Sequence, residues 1–134
     1  MDATSLVAAA IAARAHAYAP YSRFRVGAAL LLADGRVVTG VNVENASYGL
    51  AVCAERNAVA AAVLAGLKPG DLRAVAVAAD SDGPVSPCGA CRQVLAEFAP
   101  PGAPVHLHNV RDGSTVEHSI AELLPHAFLR DRLP

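Results

Sequence analysis

At 134 residues the chain fits one domain with a buried core of its own. A formal net charge of -1 excludes the strong positive field that holds nucleic-acid backbones by counterion release. Hydrophobic residues make up 54% and charged residues 17%, an apolar balance rich in alanine that predicts helix faces buried between subunits, yet no run reaches the roughly 18 apolar residues needed to span a bilayer.

Residues 4–18 (TSLVAAAIAARAHAY) read as an amphipathic helix, capped by Thr4 or Ser5, with Leu6, Ala10 and Ile11 on one face and Pro20 as its stop. In VGAALLLADGRVVTGVNV two β-rich runs flank Asp34-Gly35, a strong hairpin signal. ENASYG reads as a loop and leads into a second helix from about Cys53 to Leu67, punctuated by Gly66, Pro69 and Gly70. LRAVAVAAD, residues 72–80, suits a buried strand. DGPVSP is a loop, and CRQVLAEF is a third helix with Val94, Leu95 and Phe98 inward, ended by Pro100 and Pro101. Residues 104–108 and 114–118 form two more strands around Asp112-Gly113, and IAELLPHAF closes the chain with a short helix and tail. No repeat or linker interrupts this order. Strands alternating with helices predict one α/β domain over residues 1–134, a mixed sheet with helices on its faces.

Three cysteines, Cys53, Cys88 and Cys91, cannot all pair within one chain. Nothing at the N-terminus reads as a signal peptide, since Asp2 and Arg14 bracket only a short alanine-rich segment, so the expected compartment is the reducing cytoplasm. Metal binding or catalysis is then the better reading of the thiols. PCGAC, residues 87–91, places two of them on one side of the first turn of a helix, where backbone N–H groups and the helix dipole favour thiolate. Cys53 also stands at a predicted helix start, so two helices can aim three sulfurs at one point. Three sulfurs and an open position describe catalytic zinc, whereas a structural site wants a fourth protein ligand. His106 and His108 are the only competing pair, and they read as ordinary residues on an edge strand. Glu55, in VCAERN, is placed to move protons beside a metal-bound water if the metal lies off the helix end, because residues 53 and 55 do not share a helix face.

Taken together, CAER, PCGACRQVL, FRVGAALLL and VNVENASYGL resemble zinc-dependent cytidine deaminase of the small type with three cysteine ligands, and the likeness runs from YAPYSRF to ELLPHAF. The resemblance implies a three-layer sandwich with about five strands and helices on both faces. It implies Zn²⁺ held by Cys53, Cys88 and Cys91 with water as fourth ligand, Glu55 as proton shuttle, and conversion of cytidine and 2′-deoxycytidine to the uracil nucleosides with release of ammonia, in pyrimidine salvage. Asn42 and Glu44 would bind the ribose, Phe24 would pack on the pyrimidine, and the backbone of Ala54 would read the base edge. Phe128 and Tyr48 would reach across subunit boundaries of a homotetramer. Arg56 would offset the negative charge of three thiolates, and Gln93 would orient Arg56. The departures from the family pattern, at Val41, Val43 and Asn57, touch no proposed ligand.

Three rival functions differ in what they require. An antibiotic deaminase of the blasticidin type would share fold and metal, but its substrate carries no ordinary ribose, which Asn42 and Glu44 suit. A zinc-stabilised scaffold would have no use for Glu55. Polynucleotide editing would need a basic surface that the composition lacks.

Overall fold

The computed structural model describes residues 1–134. In chain order the elements are α1 (Ala3–Arg14), β1 (Val26–Leu32), β2 (Val37–Val41), a 3₁₀ turn at Tyr48–Leu50, α2 (Ala54–Leu64), β3 (Leu72–Ala79), α3 (Gly89–Phe98), β4 (Pro104–Asn109), β5 (Thr115–Ser119), α4 (Ile120–Leu123) and a 3₁₀ turn at Arg130–Arg132. The strands form one sheet in the order β2-β1-β3-β4-β5. β3 and β4 run parallel and every other pair is antiparallel, so the sheet is mixed, as expected.

Each face of the sheet buries a different set of side chains because strand residues alternate sides. Val26, Ala28, Leu30 and Leu32 of β1 join Val75, Val77, Val105 and Leu107 in the larger core, under α2, α3 and α4. On the other face Ala29, Ala74, Ala76 and Ala78 meet Leu6, Val7 and Ala10 of α1. Helices therefore cover both faces and make three layers.

Much of the alanine serves close packing inside the chain. Two close helix–sheet approaches are set by glycines within strands. A Cβ at Gly27 would sit 2.1 Å from the carbonyl oxygen of Ala10, and one at Gly40 would sit 2.4 Å from the nitrogen of Ala58 and 2.6 Å from the carbonyl oxygen of Ala54. Backbone thus lies on backbone, and the contact at Gly40 fixes where α2 begins.

The first helix departs from expectation at both ends. Asp2 is its N-cap, accepting from the Ser5 N–H at 2.8 Å, so Thr4 and Ser5 lie inside the first turn. It stops at Arg14, short of residue 18, because Tyr18 pairs with the chain after β2: its N–H donates to the Asn42 carbonyl at 3.0 Å and its carbonyl accepts from Glu44 N–H at 2.9 Å. Val7 takes the inward place expected of Ile11, which is 40% exposed. The hairpin at Asp34-Gly35 forms as read, with Gly35 at φ 91°.

Gly40→Ala is expected to lower the melting temperature of the metal-loaded protein by roughly 5–10 °C through overpacking against backbone. Gly102→Ala, where a Cβ meets nothing within 4 Å, should melt within about a degree of the parent. Differential scanning calorimetry on both variants makes the comparison.

Candidate metal centre and its surroundings

Cys53 and Cys88 occupy the N-cap positions of α2 and α3, and neither makes a side-chain capping bond. Cysteine is not among the residues favoured there, which are Ser, Thr, Asp and Asn. The free N–H groups of two first turns, each carrying partial positive charge, surround these sulfurs. Cys91, three residues into α3 from its cap, lies in the same relation to Cys88 as the two partners of a capping box. The Sγ–Sγ distances are 3.9 Å for Cys53–Cys88 and 3.4 Å for Cys88–Cys91, and all three ligand atoms lie within 4.8 Å of one another. Sulfurs bound tetrahedrally to zinc at about 2.3 Å stand about 3.8 Å apart, so the trio fits that ion. No histidine joins the group. His106 instead faces Glu117 across β4 and β5 at 3.6 Å, and His108 bonds Thr115 at 2.9 Å, so neither is a ligand; the strand that carries them is not the expected edge strand, however, because β4 pairs with both β3 and β5.

Glu55 follows at the second helical position and is 5% exposed. Burial pushes its carboxyl above the usual carboxylate range, against the opposing pull of its own backbone N–H, the Cys91 thiol and the charge of Arg56. Burial and the Glu55 carboxylate push the Cys91 thiol far above its ordinary value. For Cys88 burial again raises the pKa, but the Cys91 N–H, the thiols of Cys91 and Cys53 and the Ala90 N–H outweigh it and leave the thiol below normal. Four groups that each ionise to an anion share this space, and a divalent cation removes the conflict by holding the sulfurs as thiolates. Arg56 supplies fixed positive charge, with Nη2 3.7 Å from Cys53 Sγ. Its Nε is the one buried side-chain nitrogen or oxygen of the chain that lacks a hydrogen-bond partner.

The sequence model described as the cytidine and deoxycytidylate deaminase zinc-binding region matches residues 1–106. The chain belongs to this family. A cytidine deaminase of Halalkalibacterium halodurans is 54% identical over 128 residues, covering 96% of this chain and 95% of that protein. One from Mycobacterium tuberculosis is 49% identical over 123 residues, with 91% and 86% covered. The crystal structure of cytidine deaminase from Burkholderia pseudomallei superposes with a TM-score of 0.91 at 52% identity, covering 96% of this chain and all of that one. The zinc of this deaminase family matches the three-sulfur group found here.

The other residues expected at a deaminase site fall into two groups. Val43 and Val52 form an antiparallel bridge, each N–H donating to the other's carbonyl at 3.0 Å, which lays Asn42 opposite Cys53 and Glu44 opposite Ala51. Asn42 Nδ2 donates to the Phe24 carbonyl at 2.7 Å and Oδ1 accepts from Val26 N–H at 2.8 Å. Glu44 Oε1 accepts from the N–H groups of Tyr21 and Ser22 at 2.9 and 3.1 Å, and Oε2 accepts from the Ser22 hydroxyl. These bonds, the Ser22 hydroxyl first, hold the Glu44 carboxyl below its usual pKa. A cavity of about 290 Å³ opens beside it, lined by Tyr21, Ser22, Glu44, Asn45, Tyr48 and Ala51. Tyr48 meets Tyr21 edge-on at 5.7 Å between ring centres.

Phe24 and Phe128 do not line that cavity; they are 38% and 61% exposed. Gln93 is a correction: it does not orient Arg56 but donates from Nε2 to the Phe128 carbonyl at 2.7 Å, because its place on α3 faces the C-terminal segment.

Three further residues shape the site and escaped the sequence reading. Arg92 clamps the loop before α3, donating to the Pro87 carbonyl, the Leu123 carbonyl and the Ser86 hydroxyl, each at 2.8 Å. Asn57 ties the first turn of α2 to β2 through the Val41 carbonyl at 2.8 Å. Gly40 was legible in principle, as an isolated glycine in a strand. Nothing near Arg92 in the sequence names its partners.

Cys91→Ala is expected to reduce zinc from about one ion per chain to a small fraction, since two thiolates hold it far less tightly than three. Plasma emission spectrometry after gel filtration gives the stoichiometry.

Proposed function

We propose that the chain hydrolyses the C4 amino group of cytidine and 2′-deoxycytidine, giving the uracil nucleoside and ammonia. The observation that carries this reading is the pairing of a three-sulfur metal group with no fourth protein ligand and a buried, protonation-prone Glu55 beside it. Cys53, Cys88 and Cys91 would hold zinc. When bound, zinc supplies a Lewis acid that lowers the pKa of a water to about 7. Glu55 takes the proton that water gives up and delivers it to N3 of the ring. As N3 is protonated the water oxygen bonds to C4; Glu55 then takes the remaining proton from that C4 hydroxyl and passes it to the amino nitrogen, so the C4–N bond breaks as the C4=O bond forms. One water is consumed and one ammonia leaves. Burial, which raises the Glu55 carboxyl above the usual carboxylate range, suits it to both halves of that transfer.

The remaining residues bind and orient. Asn42 spends one N–H and one lone pair on the Phe24–Val26 segment and keeps a second of each for a sugar hydroxyl. Glu44 has an acceptor position left on Oε2 for the same purpose. By holding the Phe24 carbonyl and the Val26 N–H, Asn42 fixes the backbone that follows Phe24 and sets its ring against the pyrimidine, while the backbone of Ala54 reads the base edge. Arg56 and the two helix starts offset the charge of the thiolates. Gln93 holds the chain at Phe128.

A homotetramer with shared sites is the assembly we propose. Tyr48, Leu50, Leu64 and Phe128 are 75%, 66%, 91% and 61% exposed, apolar surface of the kind that subunit contacts cover. The reduced state of three clustered thiols suits a cytoplasmic role in pyrimidine salvage.

Glu55→Gln is expected to lower kcat for cytidine by about 10²- to 10⁴-fold while zinc stays bound. The assay follows loss of cytidine absorbance together with ammonia release, with metal content measured on the same sample. No turnover of cytidine by the zinc-loaded parent, with Glu55→Gln changing nothing, would point to a zinc-stabilised scaffold, and faster turnover of blasticidin than of cytidine would point to the antibiotic-deaminase branch.

A further inference from the structure

The segment between α1 and β1 lines two clefts. Ser22 and Tyr21 face the cavity beside Glu44. A second cleft, of about 570 Å³, is lined by Arg14, Tyr18, Pro20, Arg23 and Arg25 with small alanines between them. Three arginines line the cleft and no carboxylate does. The arginine ion pairs of the chain lie elsewhere, Arg36 with Asp34 and Arg111 with Asp80 and Asp82.

Two features show that this crowding of like charge is built into the backbone. Arg23 is held at φ 60°, a left-handed conformation that costs a non-glycine residue roughly 1 kcal/mol or more. The turn is kept there by the bonds of Glu44 to residues 21 and 22 and by the Ser22 hydroxyl accepting from Phe24 N–H at 3.0 Å. Arg14 Nε donates to the Arg25 carbonyl at 3.1 Å, which fixes the Arg14 guanidinium and leaves its two terminal nitrogens for the cleft.

We infer that this cleft is a binding site for a small polyphosphate ester, of the size and charge of a nucleoside triphosphate. Planar guanidinium forks match phosphate oxygens two at a time, and three of them balance the charge of a di- or triphosphate better than that of one carboxylate. The exposed ring of Tyr18, 55% accessible, gives the organic part a flat face to lie on. A polynucleotide fits less well, since the positive charge is confined to one cleft on a chain of net charge -1. The inference rests on these charges and not on the deaminase reading.

Isothermal titration of the zinc-loaded full-length protein with inorganic triphosphate, adenosine 5′-triphosphate and adenosine, without magnesium, tests it. Both phosphates are expected to bind saturably and adenosine not to. Arg23→Gln with Arg25→Gln should weaken binding at least about tenfold, and Arg25→Gln alone by a smaller factor, while Arg130→Gln with Arg132→Gln, the same loss of charge elsewhere, should change it less than about twofold. The site is refuted by an absence of saturable binding up to about 5 mM, or by equal weakening in the two double variants. A change of oligomeric mass in the Arg23/Arg25 variant, read by light scattering, would also refute it by assigning the arginines to a subunit contact.

Discussion

Cys53, Cys88, Cys91 and Glu55 each become anionic on ionisation, and the fold packs them against the starts of two helices. Such a cluster is tenable only if positive charge enters it. Part of that charge is fixed in the polypeptide, in the N–H groups of α2 and α3 and in Arg56. The balance belongs to zinc, whose presence turns three mutually repelling thiols into ligands. Metal affinity and the stability of this end of the molecule are therefore coupled, because the ion binds the folded arrangement and not the dispersed cysteines of an unfolded chain.

The sheet makes the arrangement possible by letting helices come unusually near. Gly40 admits α2 to backbone contact with β2, Asn57 ties the same helix to Val41, and the Val43–Val52 bridge aligns the strand extension with the loop that delivers Cys53. Arg92 does the equivalent for the second helix by fixing Pro87 and Ser86 to the end of α4. The metal ligands thus sit on rigid helix starts, while the proposed sugar contacts, Asn42 and Glu44, sit on the extension after β2 and hold the turn at residues 21–26.

Local signals carried far in the sequence. The spacing within PCGAC and the position of Cys53 ahead of an alanine-rich helix were enough to expect three converging sulfurs, and Asp34-Gly35 was enough to expect the hairpin. What could not be read depends on partners distant in the chain. Helix propensity favoured continuing α1 to residue 18, but Tyr18 is claimed by Asn42 and Glu44. Gln93 had no visible reason to seek the carbonyl of Phe128, 35 residues on. Asn42 and Glu44 were recognisable as a polar pair, yet their bonds to residues 21 to 26 appear only when the strand extension and the turn are brought together.

The central claim concerns the first coordination sphere, and zinc K-edge X-ray absorption on the purified protein examines it without reference to turnover. Three sulfur scatterers at about 2.3 Å and one oxygen at about 2.0 Å are the predicted result. A shell of four protein ligands, or one with fewer than three sulfurs, would contradict it.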